Sequence, residues 1–249
     1  MSSTIDPVAD DLTTERSSRA DVHVVVAAHN EGDRIQATLA ALAQAFPGAS
    51  LWVADDGSSD DTARLAREAG AEVVRSERVI GKGGAMTSAA HAALTHARGQ
   101  PTRDPHKSIF VLCDGDLAES ARQLGALVDT VGSGEAELAV AAFARRVGGG
   151  LGLALGFARW AIARRCGLRT DAPISGQRAL SEQALKDVLP FAYGYGMEIG
   201  MTIDAVRAGH RVREVELDLS HRASGRTLAG FLHRGRQLVE FVRVYLSRR

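Results

Sequence analysis

The stretch DVHVVVAAHNEGDR at residues 21–34 decides the reading of the fold. Its β-branched run is typical of a buried parallel strand, and the apolar spacing of IQATLAALAQAF at 35–46 predicts a helix directly after the polar turn. The unit repeats, because SLWVADDG at 50–57 is an apolar strand ending in carboxylates and SSDDTARLAREAG at 58–70 has the capping residues of a helix. This repeated order predicts an α/β fold with a mostly parallel central sheet flanked by helices.

The rest of the chain continues the alternation of strands and helices. VIGKGG (79–84) forms a predicted loop before the next helix, and its last four residues begin the GKGGAM motif (81–86). Hydrophobic periodicity assigns each remaining segment to one type of element. The predicted strands are AEVVRS (71–76), SIFVLCDGDL (108–117), ELAVAAF (137–143) and HRVREVELDLSHR (210–222), and the predicted helices cover 85–97, 151–167 and 228–246.

Composition and charge exclude several classes of protein. With 249 residues, of which 45% are apolar and 24% charged, the chain can bury a core and is not a disordered or fibrous protein. Its formal net charge of zero does not favour nucleic acid as a partner. There are two distant cysteines, no signal-like N-terminus and no apolar run of ~18–20 residues, which favours a cytoplasmic protein without a disulfide framework.

The chain is predicted to consist of a tail and one domain. Residues 1–20 are rich in Ser, Thr, Asp and Ala without apolar periodicity, so they are expected to be disordered. Residues 21–249 are expected to form a single domain, since their length suits one α/β core. The polar strand ends that matter for function all fall in its first half, residues 21–120.

Three strands of that half end in polar or acidic clusters, and in parallel α/β sheets ligands bind outside the carboxyl ends of the strands. Asp114 and Asp116 can converge on one cation because Gly115 between them has no side chain. The alternative for so short a motif is a helix cap or a solvated loop. Its position after an apolar strand favours metal binding. The three clusters are HNEG (29–32), DDGS (55–58) and DGD (114–116).

Two further motifs indicate a nucleotide. Asp55 and Asp56 can accept hydrogen bonds from a base N–H or a ribose hydroxyl, although one of them could serve only to open the next helix. The glycines of GKGGAM allow backbone amides to approach a phosphate, and Lys82 adds a positive charge before a helix N-terminus. A flexible loop with a solvated lysine is the alternative. The spacing is neither that of a P-loop nor GxGxxG, which disfavours ATPases and Rossmann dehydrogenases.

In this order, VVVAAHNEG, VADDGSSDDT, GKGGA and FVLCDGDL resemble the N-terminal half of family-2-type glycosyltransferases. The resemblance implies a GT-A fold, in which residues 21–120 bind a UDP- or GDP-linked sugar and residues 121–249 bind the acceptor. It also implies Mg²⁺ or Mn²⁺ as cofactor. The implied site residues are Asp114, Asp116 and His221 for the metal, Asp116 and Glu198 for catalysis, and Ala28, Asn30, Glu31, Asp55, Asp56, Gly81, Lys82, Asp114, Gly115 and Arg178 for the nucleotide sugar.

The second half resembles two groups of this family. SGQRAL (175–180) followed by GYGMEI (194–199) is similar to polyprenyl-phosphate mannose or glucose synthases. PFAYGYGMEIGMTID (190–204) followed by a late His-Arg is similar to glucosyl-3-phosphoglycerate synthases, which is the resemblance that makes His221 a metal ligand. A surface or phosphate-facing histidine is the alternative. Glu198 matches in both groups, as a base or as a positioning group; a first-turn helix charge is its alternative reading.

The resemblance therefore implies an enzyme that moves a sugar to a phosphate-bearing acceptor. Polyprenyl phosphate is preferred, because the apolar segment 150–165 and the basic C-terminal end suit a lipid phosphate. A small soluble acid such as 3-phosphoglycerate is the second option. A nucleotidyltransferase and a non-catalytic nucleotide-sugar-binding module are retained as alternatives. Peripheral contact with the cytoplasmic face of a membrane and a homodimer also stay open.

Overall fold

The computed structural model describes residues 21–99, 108–143, 153–219 and 239–248. The strands are β1 (Asp21–Ala28), β2 (Ser50–Asp55), β3 (Glu72–Arg75), β4 (Ser108–Asp114), β5 (Leu138–Phe143), β6 (Arg178–Ser181) and β7 (Val212–Leu217). The α-helices are α1 (Ile35–Ala45), α2 (Thr62–Glu68), α3 (Lys82–Arg98), α4 (Gly125–Gly132), α5 (Leu153–Cys166), α6 (Glu182–Val188), α7 (Met197–Arg207) and α8 (239–247). Two 3-10 helices cover Ala118–Leu124 and Gly194–Gly196.

The seven strands form one sheet in the order β3-β2-β1-β4-β6-β5-β7. All neighbouring pairs are parallel except the two that involve β6, so the predicted mostly parallel sheet is confirmed. β6 runs antiparallel to both β4 and β5, with Ala179 opposite Val111 on one side and Ala139 on the other. This short strand joins the parts of the sheet contributed by the two halves of the chain.

Strand β1, with the sequence DVHVVVAA, is apolar at successive positions because both of its faces are buried. Val24 and Val26 face one core, which includes α1 and α4, whereas Val25 faces a second core that includes α3, α6 and α7. A strand with helices on both faces needs apolar side chains on both faces. Its predicted bounds, residues 21–28, agree with the structure.

A third core lies between α5, α7 and α8. Ile162 on α5, Ile199 and Ile203 on α7, and Phe241 and Val244 on α8 pack together there. The apolar segment 151–167, which was predicted as a helix, therefore forms α5 and packs one side against α7 and α8. None of the helices within the described ranges has both the length and the hydropathy that crossing a membrane requires.

One helix begins before its predicted start, and two predicted segments lie outside the described residues. The helix predicted over 85–97 begins earlier, at Lys82, because the carbonyl of Gly81 accepts hydrogen bonds from the N–H groups of Gly84 and Ala85. Lys82, Gly83 and Gly84 thus form the start of α3, with Gly81 as its N-cap, rather than a loop before it. The predicted tail, residues 1–20, and most of the predicted closing helix, residues 228–238, lie outside the described residues.

Candidate active site

The carboxyl ends of β1, β2 and β4 meet at one edge of the sheet. β1 lies between the other two strands, and the register places Ala28 beside Asp55 and Ala27 beside Asp114. The N–H of Gly115 donates to the Ala27 carbonyl at 2.8 Å. The three strand ends that carry the polar and acidic clusters are therefore neighbours in space.

The turn that carries Asp114 and Asp116 is tightly packed at Gly115. A Cβ atom at this position would lie 3.1 Å from the Ala27 carbonyl oxygen, which is closer than an ordinary contact. The hydroxyl of Thr38 on α1 donates to the Gly115 carbonyl at 2.8 Å and accepts from the N–H of Ala118 at 2.8 Å. Helix α1 thereby holds the turn and presents the partly exposed Asp116 at the sheet edge.

Next to this turn lies a charged cluster. Lys82 Nζ is 2.7 Å from Asp114 Oδ1 and 2.8 Å from Glu198 Oε1, and Gln177 Nε2 donates to Asp114 Oδ2 at 2.7 Å. Burial would lower the pKa of Lys82, but Asp114 and Glu198 outweigh it and raise that pKa above its ordinary value. Lys82 is therefore a cation at neutral pH and forms ion pairs with the carboxylates of both Asp114 and Glu198.

The cluster joins three distant parts of the sequence. Lys82 begins α3, Asp114 ends β4, and Glu198 lies in the first turn of α7. Gln177, which directly precedes β6, was not singled out from the sequence, although it lies inside the SGQRAL motif. The side chain of Gln177 is buried at 2% exposure, and only the antiparallel pairing of β6 with β4 brings it to Asp114.

Two glycines allow the close approach of these parts. A Cβ atom at Gly176 would lie 2.6 Å from Asp114 Oδ2 and 2.7 Å from Lys82 Nζ. A Cβ atom at Gly83 would lie 1.8 Å from the Ala192 carbonyl oxygen. Both distances are far below van der Waals contact, so any larger residue would force the cluster or its backbone support to move.

Arg178 is buried next to the cluster and holds the segment that precedes β6. It is 1% exposed, and it donates from Nε to the Ser175 carbonyl and from Nη1 to Thr202 Oγ1, both at 2.9 Å. Burial lowers the pKa of Arg178 to about 10, against an opposing effect of Glu198. The structure thus places this predicted nucleotide-sugar residue inside the protein, where it holds the segment that contains Gly176 and Gln177.

On the other side of the edge, the two acids after β2 have different contacts. Asp55 is fully buried; its Oδ1 accepts the N–H of Ser58 at 3.0 Å, and its Oδ2 lies 3.2 Å from Arg75 Nε without hydrogen-bond geometry. Asp56 Oδ1 accepts the N–H of Ile80 at 2.6 Å. Asp56 therefore orders the segment that leads into α3, and the second carboxylate oxygen of Asp55 is paired with Arg75.

The residues after β1 are held by the loop after β2. Asn30, at φ 57, donates its N–H to Ser58 Oγ at 2.9 Å and accepts the N–H of Ser59 on its Oδ1 at 2.8 Å. Glu31 donates its N–H to Thr62 Oγ1 at 2.9 Å. The HNEG and DDGS motifs are consequently one hydrogen-bonded unit beside Ala28, whose carbonyl accepts the N–H of Asp56 at 2.9 Å.

The predicted metal site is described only in part. Within the described residues, no three His, Cys, Asp or Glu side chains are grouped so as to hold a metal ion. His221, the predicted third ligand, lies outside those residues. The carboxylates of Asp114 and Asp116 are ligands of the hard-oxygen type that Mg²⁺ and Mn²⁺ prefer, and Mg²⁺ is commonly held by one or two carboxylates together with substrate phosphates. The donor set that is present fits such an ion.

A mostly parallel α/β sheet with acidic strand ends and a lysine at a glycine-rich helix start is typical of α/β proteins that bind nucleotides. Within this class, the chain belongs to glycosyltransferase family 2, since the sequence profile described as Glycosyl transferase family 2 matches residues 23–170. The resemblance seen in the sequence is thereby confirmed.

Two relatives and one solved structure are informative. The chain is 31% identical over 207 residues to a glucosyl-3-phosphoglycerate synthase of Mycolicibacterium paratuberculosis, a match covering 74% of this chain but 59% of that protein. It is 26% identical over 225 residues to an undecaprenyl-phosphate mannosyltransferase of Micrococcus luteus, covering 82% and 85%.

The solved structure is the glucosyl-3-phosphoglycerate synthase of Mycobacterium tuberculosis in complex with Mn²⁺, UDP-glucose and phosphoglyceric acid. It matches with a TM-score of 0.68 and 27% identity, over 92% of this chain and 79% of that one. Together with the sheet topology, this match confirms the GT-A fold.

Proposed function

We propose that this chain transfers a sugar from a nucleoside-diphosphate sugar to a phosphate-bearing acceptor in a reaction that requires Mg²⁺ or Mn²⁺. The observation that carries the proposal is the cluster at the carboxyl edge of the sheet, next to Asp116, in which Lys82 Nζ lies 2.7 Å from Asp114 and 2.8 Å from Glu198. A UDP-linked donor is favoured over a GDP-linked one by the similarity to the synthase solved with UDP-glucose.

The donor would bind along the edge that the three strand ends form. Lys82 and the N-terminus of α3, a helix of 17 residues, suit the diphosphate, because helix N–H groups and a lysine both stabilise negative charge. Gly81 and Gly115 belong to this proposal through their backbone, since a Cβ atom at either position would face protein atoms. In this proposal the carboxylate of Asp55 accepts a base N–H, and Asn30, Glu31, Asp56 and Ala28 shape that pocket through the hydrogen bonds between their loops.

The metal would be held by Asp116 with Asp114, and by His221 if that residue reaches the site. When bound, the ion neutralises charge that develops on the leaving diphosphate. Because Asp114 already accepts from Lys82 and Gln177, Asp116 is the main ligand in this proposal and Asp114 orients its surroundings. Arg178 takes the role of a positioning residue.

For the acceptor we propose polyprenyl phosphate first. Glu198 is paired with Lys82, so it is not arranged as a base for an acceptor hydroxyl, and a phosphate oxygen that is already ionised needs none. The match to the undecaprenyl-phosphate mannosyltransferase over 85% of that protein agrees with this choice. Trp160, 50% exposed on α5, and the exposed Val242 and Leu246 on α8 suit peripheral contact with a membrane.

A small phospho-acid is the second candidate. The specific observation in its favour is the fold match to a synthase solved with phosphoglyceric acid, which covers 92% of this chain. In that reaction the acceptor would have to be recognised through its carboxylate and phosphate charges. One candidate acceptor is a lipid and the other is a small water-soluble acid, so supplying them separately distinguishes the two functions.

The test measures nucleoside diphosphate released from UDP- and GDP-linked hexoses by the purified chain, with manganese, magnesium or EDTA. Polyprenyl phosphate in detergent micelles and 3-phosphoglycerate are supplied separately as acceptors. We expect turnover only with metal and with polyprenyl phosphate. Asp116→Ala should abolish it, while Asp129→Ala on the exposed side of α4 should not. Full turnover by the Asp116 variant at saturating donor and metal would contradict the proposal.

The other outcomes identify the alternatives. Turnover with 3-phosphoglycerate but not with polyprenyl phosphate would show that the acceptor is the small phospho-acid and not the lipid. Turnover of a sugar phosphate with a nucleoside triphosphate, and none with nucleotide sugars, would indicate a nucleotidyltransferase. Tight metal-dependent binding of a nucleotide sugar without turnover, across both acceptors, would indicate a binding module.

A further inference from the structure

The turn at residues 192–196 packs against the start of α3. Gly83 lies so close to the Ala192 carbonyl that a side chain would overlap it, and a Cβ atom on Gly81 would lie 3.4 Å from Gly194 Cα. Farther along α3, the hydroxyl of Thr87 accepts the N–H of Phe191 at 3.0 Å. The position of Lys82, between Gly81 and Gly83, therefore depends on where this turn lies.

The turn at residues 192–196 also lies just before Glu198 in the chain. The 3-10 helix Gly194–Gly196 leads directly into α7, which starts at Met197 and carries Glu198 in its first turn. Lys82 thus lies on a helix that packs against this turn, Glu198 follows the turn in the chain, and the two side chains meet at 2.8 Å. A shift of the turn would move both partners of the ion pair.

Helix α8 holds the turn from its other side. Glu240, 6% exposed, accepts the N–H of Tyr195 on Oε2 at 2.7 Å. A Cβ atom on Gly194 would lie 2.1 Å from that same oxygen, and one on Gly196 would lie 2.1 Å from Val244 Cγ2. The small residues of the GYG sequence therefore create the surface on which α8 packs.

The far end of α8 is anchored independently. Arg248 donates from Nε to both carboxylate oxygens of Asp204 on α7 at 2.8 Å, and Phe241 and Val244 are buried against the same helix. The side chain of Glu240 thus projects from a helix that is already docked. A hydrogen bond from a backbone N–H to a carboxylate is stronger than one between neutral groups, and such an acceptor fixes the geometry of a turn.

We infer that Glu240 is a positioning residue of the active site, which acts through the Gly194–Gly196 turn on Lys82 and Glu198. It does not contact the reacting atoms. The role follows from one buried carboxylate on α8, one backbone N–H in the turn, and the two charged residues beside that turn, Lys82 on the helix packed against it and Glu198 on the helix that follows it. This inference rests on the proposed function, because it assigns Lys82 and Glu198 to the donor site.

The test compares Glu240→Ala, Glu240→Gln and the control Val239→Ala, which alters an exposed residue on the same helix. Measured are kcat and KM of sugar transfer, the Kd of UDP with Mn²⁺, and thermal unfolding. Because misplacement by about 1 Å can cost ~10²-fold in rate, we expect Glu240→Ala to lower kcat/KM by at least about 10-fold and to weaken UDP binding. Glu240→Gln retains an accepting oxygen and should stay within about threefold of the wild type, as should the control.

Several results would overturn the inference. A folded Glu240→Ala protein with wild-type kcat/KM and UDP affinity would do so, and so would a Glu240→Gln protein as impaired as the alanine variant. If Glu240→Ala does not fold, Glu240→Asp serves instead, since it keeps the charge but withdraws the oxygen from Tyr195; unchanged kinetics there would also refute the role. Absence of metal-dependent UDP binding by the wild type would instead refute the proposed function.

Discussion

Substitution of Gly176 by alanine tests the charged cluster most directly. The added methyl carbon would lie 2.6 Å from Asp114 Oδ2 and 2.7 Å from Lys82 Nζ. Ordinary contact needs about 3.4 to 4 Å, so at least one partner must retreat by roughly 1 Å. Neither can do so alone, because Asp114 is also held by Gln177 and Lys82 by Glu198.

The magnitude follows from this displacement. Overpacking of a well-packed site costs about 1–3 kcal/mol of stability, and a misplacement of roughly 1 Å at the reaction centre can cost ~10²-fold in rate. We therefore expect Gly176→Ala to unfold at a lower temperature and to lose about 10- to 100-fold in kcat/KM. Gly125→Ala is the matched control, since a Cβ atom at the start of α4 meets nothing within 4 Å.

The assay is metal-dependent sugar transfer at saturating acceptor, with thermal unfolding followed by circular dichroism on the same samples. A Gly176→Ala protein with the kinetics of the wild type would refute the reasoning, because it would mean that Asp114 and Lys82 need not keep their present positions. A loss of activity in Gly125→Ala as well would show that the assay responds to any added methyl group.

Three other predictions follow from single residues. Arg178→Met removes the buried donor to Ser175 and should destabilise the fold by about 3 kcal/mol or more, as measured by urea unfolding. The carboxylates around Lys82 raise its pKa, so the stability that its charge contributes should persist through neutral pH and be lost only as the pH rises well above about 10. Melting temperatures measured over a series of pH values should therefore fall at alkaline pH in the wild type, and Lys82→Met should remove this contribution to the fall. A hydrogen bond from Arg211 lowers the pKa of Glu137, so Glu137→Gln should lower Tm slightly at neutral pH, with a difference that disappears as the pH falls below about 4.

Elements with a strong local signal were predicted well. The run DVHVVVAA agrees with β1 at both ends, because a strand buried on both faces is apolar throughout and is bounded by polar turns. The start of α3 was predicted three residues late, since glycines have low helix propensity and only the hydrogen bonds to the Gly81 carbonyl show that the helix has begun.

β6 shows the limit of local reasoning. Its four residues, RALS, have no periodicity that could distinguish a strand from a turn. The strand exists because β4 and β5 flank it, and these are separated from it by many residues along the chain. Gln177 was missed for the same reason, as nothing beside it in the sequence indicates that it will reach Asp114.

The sequence by itself determined the alternation of strands and helices, the family, and the placement of acidic groups at the ends of β1, β2 and β4. These features depend on neighbouring residues and on a recurrent order of motifs, which a single chain displays directly. Only the tertiary structure decided that Lys82, Asp114, Gln177 and Glu198 form one cluster, and that α8 supports it through Glu240. Those contacts join residues far apart in sequence, and their geometry depends on packing distances that no local pattern encodes.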